Sequence, residues 1–253
     1  MQFFRPEHYA AFIPPKPDLD DEQTQAERLH VRGALLSLGD QLWPHIEQKG
    51  WDLHRHRQKD HYTSSFHFVP ADDGGWIVDH IGSMWLHYGK SPDQLDRWKT
   101  LGVYDSADRR SRDDFFNAFY LHTRIQVYIN AHCVRAWLLF TDKNYYDRAE
   151  FLKRIRKDPT FRSQLEAAIE TLMGKDFFYE IDNSMYMLDP QIRGVTIADV
   201  IDFIKQDRGG VYSGFVKEYQ PEDPRISQDN IVDEMQRNLD LLYPLYELMA
   251  WRG

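Results

Sequence analysis

The chain has 253 residues, with 40 acidic against 31 basic side chains and a formal net charge of −9. Aromatic residues make up 14 % of it, so enough apolar surface is present to build a folded core and disorder is excluded. No apolar run reaches the roughly 20 residues of a membrane helix. The acidic balance argues against general coating of nucleic acid or of an anionic membrane. With one cysteine, Cys133, and no secretory leader pattern, we expect a soluble cytoplasmic protein without internal disulfides.

The first half of the chain is predicted to contain an arm, a helix and then strands. Residues 1–23 predict an extended arm, because Pro14, Pro15 and Pro17 favour open backbone. A helix over about 24–48 follows from apolar residues at three- and four-residue steps, and Pro44 is expected to kink it or interrupt its hydrogen bonds. Aromatic and β-branched segments predict strands at 62–69, 76–81 and 84–88, with a possible bulge at Gly82. Short helices are expected at about 92–100 and from Ser111.

The second half begins with a hairpin and ends in a long helix. Alternation predicts paired strands at 124–129 and 133–141. Helices at 145–157 and 159–173 are separated by Asp158-Pro159, a cap followed by proline. Strands at 176–182 and 185–188, a helix at 196–206 and a final helix from about Ser227 complete the order. This order is neither a βαβ alternation nor all-β, so it predicts a single α+β domain over 24–253 with a mainly antiparallel sheet, flanking helices and a long C-terminal helix.

A basic connector between Trp51 and Tyr62 is the first candidate site. Cationic groups between aromatic rings suit phosphate contacts and base stacking, and closely spaced histidines can bind a metal or transfer protons. A connector that is simply exposed to solvent, without a binding role, could contain the same residues. The predicted phosphate-binding residues here are Arg55, Arg57 and Lys59, and His61 is the candidate acid/base residue.

A pair of carboxylates is the second candidate. Glu180 and Asp182 are two residues apart, which places them on one face of a strand, where they could hold a divalent cation such as Mg²⁺. Asp79 is a possible third ligand from another strand. The same spacing is also typical of a strand's solvent face.

A basic helix face is the third candidate. It consists of four cations, Lys153, Arg154, Arg156 and Lys157. These side chains could bind phosphate, although an amphipathic helix ordinarily has a charged face.

Three functions remain open from these candidates. The first is a nucleic-acid- or phosphate-directed protein. One form of it is a Mg²⁺-dependent nuclease, with Glu180, Asp182 and His61 as catalytic residues and Glu180, Asp182 and Asp79 holding the metal. The second is a non-enzymatic interaction module that forms a homo-oligomer through aromatic surface or the arm. The third is a small-molecule enzyme that uses the histidines of the connector as acid/base groups. No Gly-x-Gly-x-x-Gly fingerprint or P-loop is present.

Overall fold

A computed structural model describes residues 1–13, 22–55, 64–70, 76–91, 93–95, 97, 122–140, 145–181, 184–188, 194–206 and 213–251. Of residues 24, 64–70, 76–81, 145–146, 184 and 206 it describes the backbone alone. The helices are α1 (Pro6–Ala10), α2 (Glu22–Lys49), α3 (Tyr145–Lys157), α4 (Pro159–Leu172), α5 (Ile197–Gln206) and α6 (Ile231–Met249). The strands are β1 (His54–Arg55), β2 (Ser64–Pro70), β3 (Trp76–Gly89), β4 (Arg124–Asn130), β5 (Val134–Leu139), β6 (Phe178–Ile181), β7 (Ser184–Met187) and β8 (Ser213–Tyr219).

These strands form one sheet in which every described pairing is antiparallel. The order is β1-β3-β4-β5-β8-β6-β7, and β2 pairs with β3 beside this path. The central position of β8 joins the β4–β5 hairpin to the β6–β7 hairpin. The predicted α+β class, with a mainly antiparallel sheet, flanking helices and a long C-terminal helix, is confirmed.

The two faces of the sheet bury different side chains. Alternate residues of β4 and β5, such as Ile125, Val127 and Leu138, belong to the main apolar core. Helix α6 packs on β4 and β5 and also contacts α2, α3 and α4, so it lies at the centre of this core. The opposite face carries a smaller apolar cluster formed by Trp137, Leu139, Phe178 and Val216.

Some local expectations agree with the structure and others do not. Helix α2 spans Glu22–Lys49 with Pro44 inside it, close to the expected range of 24–48. Strand β3 runs through Gly82, and its register against β2 shifts at this residue. Ser65 pairs with Ser83 and Phe66 pairs with Ile81, which leaves Gly82 as the extra residue on β3, in agreement with the expected bulge. Strand β8 was not expected from the sequence. The helices expected at 92–100 and from Ser111 fall largely outside the described residues.

The start of the chain also differs from the expected extended arm. Residues 6–10 form α1, and Phe4, Tyr9 and Phe12 are buried. Gln2 forms an isolated β-bridge with Ser227, which attaches this segment to the turn before α6. Prolines 14, 15 and 17 lie outside the described residues. Among the helices that the structure describes, none is long and apolar enough to cross a membrane.

Candidate functional site

The basic side chains of α3 lie on the surface because the other side of the helix is buried. Phe151 and Ile155 enter the core, and the cations occupy the remaining face and the last turn. Cations at the end of a helix are stabilised by the negative end of its dipole. We call Lys153, Arg154, Arg156 and Lys157 the basic face of α3.

Two of these four cations are already engaged within the chain. Lys153 Nζ donates to Glu150 Oε2 at 3.1 Å, and the Arg154 guanidinium carbon lies 4.0 Å from the centre of the Phe161 ring. Arg156 and Lys157 are exposed and, as far as the described chain extends, form no salt bridge or side-chain hydrogen bond. Their charges are therefore available to an external anion.

Arg55 does not lie on an open phosphate-binding surface. Its Nη1 is 2.6 Å from Asp40 Oδ1 and its Nη2 donates to the Leu36 carbonyl at 3.1 Å, so the guanidinium is bonded to α2. The arginine covers Gly39, where a Cβ atom would come within 2.7 Å of Nη2. The other predicted members of the connector site, Arg57, Lys59 and His61, lie outside the described residues.

Glu180 is buried rather than solvent-facing. It is 3 % exposed, and its Oε2 accepts from Arg135 Nη1 at 3.1 Å. The same guanidinium binds Glu218, with Nη2 2.7 Å from Oε2, so one arginine on β5 joins carboxylates from β6 and β8. Burial raises the pKa of Glu180, although Arg135 opposes this effect.

The predicted metal site receives no support from the described residues. Asp182 and the side chain of Asp79 lie outside them, and Glu180 is bound to arginine. Within the described part of the chain, no group of three or more His, Cys, Asp or Glu side chains is arranged to hold an ion. Binding of Mg²⁺ by Glu180, Asp182 and Asp79 therefore stays a prediction.

A cleft lies between α3 and the end of α6. Its volume is about 350 Å³. Arg154 belongs both to its wall and to the basic face of α3, so the cleft opens beside that face. Its lining consists of Asp147, Glu150, Phe151, Arg154, Glu247, Leu248, Met249, Ala250 and Trp251.

A buried ion pair fixes one wall of this cleft. Lys90 and Asp147 are 2 % and 0 % exposed, and Lys90 Nζ lies 3.2 Å from Asp147 Oδ1. Asp147 also accepts from the N–H groups of Thr123 at 2.5 Å and Trp251 at 2.7 Å. Lys90 donates to the Trp251 carbonyl, so both backbone polar groups of Trp251 are held. Burial raises the pKa of Asp147, and Lys90 acts against this shift.

Sequence patterns alone did not identify this pair. Lys90 follows the end of a strand, and Asp147 occupies the first helical turn, where an acidic residue ordinarily interacts with the helix dipole at the surface. The chain matches no protein-family model and no curated protein. Function must therefore be argued from the geometry of these residues.

Proposed function

We propose that this protein binds nucleic acid through the basic face of α3. The observation that carries the proposal is the exposure of Arg156 and Lys157, which have no ionic partner among the described residues, beside Lys153 and Arg154 on the same helix. Lysine and arginine side chains are among the groups that most often bind the phosphate oxygens of nucleic acids. The described residues give no support for extending the proposal to metal-dependent cleavage.

The net charge of −9 makes the proposed binding local rather than general. An anionic polymer is repelled by most of an acidic surface and is attracted only where cations are concentrated. Affinity should therefore depend steeply on ionic strength, because each phosphate contact releases condensed counterions. A short site with few contacts should bind weakly at physiological salt.

The test compares fluorescence anisotropy of labelled single-stranded and duplex oligonucleotides at salt concentrations between about 50 and 200 mM. Replacing Arg156 and Lys157 by glutamine should weaken binding. It should also lower the slope of log affinity against log salt by about 0.7 for each lost contact with a single strand and about 0.9 with a duplex.

A matched control removes two positive charges elsewhere. Lys175 is exposed, and Lys205 is bound to Asp202 on α5. The Lys175→Gln, Lys205→Gln variant changes the net charge equally and should keep most of the affinity. Equal loss in both double variants, or no salt-dependent binding by the unaltered protein, would contradict the proposal.

A further inference from the structure

We infer that the cleft between α3 and α6 receives one unpaired base of a bound single strand. This inference rests on the proposed function, because it assumes that phosphates lie on the basic face of α3. Arg154 is shared by that face and the cleft wall. A strand whose phosphates contact the face would therefore carry a neighbouring base to the mouth of the cleft.

The size of the cleft favours a single nucleoside over any larger group. Its volume of about 350 Å³ is at the lower end of the range found for small-molecule sites. A base that remains paired inside a duplex cannot enter a space of this size. Entry therefore requires an unpaired base, which predicts tighter binding of a single strand than of a duplex.

The lining suits the base and repels the phosphate. Trp251 and Leu248, both partly exposed, supply the aromatic and apolar surface on which a base can stack. Glu150 and Glu247 supply carboxylates, which repel phosphate but accept hydrogen bonds from the amino groups of bases. Cations and carboxylates therefore lie side by side, since Glu150 also accepts from Lys153 of the basic face and Glu247 is exposed. We assign the cations to the phosphates and the carboxylates to the base.

The carboxylate groups of the cleft, which accept hydrogen bonds, predict which bases bind. Cytosine presents an N4 amino group that a carboxylate can bind, whereas thymine presents a carbonyl oxygen at the same position. Because the two bases are similar in size, a carboxylate in the cleft should discriminate between them by hydrogen bonding. We expect cytosine to be preferred over thymine.

The backbone of Trp251 is held in place before any ligand arrives. Its N–H and carbonyl groups are both bonded to the Asp147–Lys90 pair. A stacking residue whose backbone is already ordered loses less entropy when a base binds than one on a free segment. Replacing the indole alone keeps these backbone bonds, so Trp251→Leu is a suitable variant.

The experiment measures the affinities of oligo-dC and oligo-dT of about 12 nucleotides for the full chain. The unaltered protein should bind oligo-dC about tenfold more tightly, the lower part of the discrimination that a base-specific contact provides. Glu247→Gln should reduce this ratio, because an amide can turn either its oxygen or its NH₂ group to the base. Trp251→Leu should weaken binding of both oligomers about tenfold.

The control is Glu170→Gln, which removes one exposed negative charge from α4, away from the cleft. Any loss of negative charge raises affinity for an anion, so the dC/dT ratio is the informative quantity and should not change in this control. Thermal unfolding of Trp251→Leu checks that the variant is folded. The preference of the unaltered protein tests the inference even if a variant does not fold.

The outcomes separate the two proposals. If neither oligomer binds, the proposed function fails. If both bind with equal, salt-dependent affinity and Trp251→Leu has no effect, the proposed function stands and the cleft is not a base site. Equal affinity for a single strand and a duplex would also overturn the base-site inference.

Discussion

Lys90 and Asp147 show how one buried ion pair can connect distant parts of the chain. The carboxylate joins the start of α3 to Thr123 before β4 and to Trp251 after α6. Removing two charges from water is costly, and the pair persists because both groups are also hydrogen-bonded to backbone. Loss of one partner leaves the other charge buried without compensation.

Asp147→Asn should therefore lower the free energy of unfolding by about 3–5 kcal/mol. The asparagine can accept only one of the two backbone N–H groups, and Lys90 loses its counter-charge. The matched control is Asp202→Asn, which breaks an ion pair of the same 3.2 Å length at a 58 % exposed side chain. That change should cost less than about 0.5 kcal/mol. Urea unfolding measures both, and equal effects would contradict the role of burial.

At the scale of elements, α1 is held by apolar contacts that the sequence of so short a helix does not reveal. The helix has five residues, too few for a periodic pattern, whereas the prolines that follow it are prominent. Its neighbours Phe4 and Phe12 nevertheless enter the main core. The Met1 carbonyl accepts from the Gln228 N–H at 2.8 Å, which adds a backbone contact to the region before α6.

Phe4→Ala should cost about 3–5 kcal/mol of unfolding free energy, because Phe4 is 1 % exposed and its removal leaves a cavity. Ile13→Ala is the control, since Ile13 is 51 % exposed at the end of the same described segment. The control should change stability by less than about 0.5 kcal/mol. A small effect of Phe4→Ala in urea unfolding would instead favour a loosely attached arm.

Helices with capping residues or proline at their start were predictable from the sequence, whereas strand β8, which has no such local signal, was not. Asp158 caps α4 by accepting from the Phe161 N–H at 3.0 Å, and Pro159 begins the helix, as the sequence indicates. In β8, by contrast, Lys217 occupies a core-facing position between Phe215 and Tyr219. Its buried ammonium interrupts the apolar alternation on which strand prediction depends.

At the scale of the whole molecule, candidate sites are likewise predictable only where their residues are neighbours along the chain. Helical periodicity was sufficient to place the four cations of α3 on one face, because that relation is local. The pairings of Arg135 with Glu180 and of Lys90 with Asp147 depend on strand order and helix packing. Spacing along the chain contains no signal for either pairing.

Two buried carboxylates whose pKa values are shifted in opposite directions also affect how stability depends on pH. Burial acts to raise the pKa of Glu234, but hydrogen bonds from Tyr219, Arg237 and Lys217 outweigh it and the pKa is lowered from 4.5. The pKa of Glu180 is raised instead, because burial exceeds the effect of Arg135. A lowered pKa contributes stability above the unfolded value that is lost as the pH falls through the folded value. A raised pKa contributes stability at low pH that is lost as the pH rises through the folded value.

Glu234→Gln and Glu180→Gln should therefore change the acid dependence of stability in opposite directions. Between about pH 7 and pH 3, Glu234→Gln should flatten the fall in unfolding free energy, because the variant no longer takes up a proton at that site on unfolding. Glu180→Gln should steepen it, because it removes a group that stabilises the fold when protonated. Urea midpoints at several pH values measure both slopes, each relative to the unaltered protein. Slopes that change in the same direction would show that Arg135, rather than burial, determines the ionisation of Glu180.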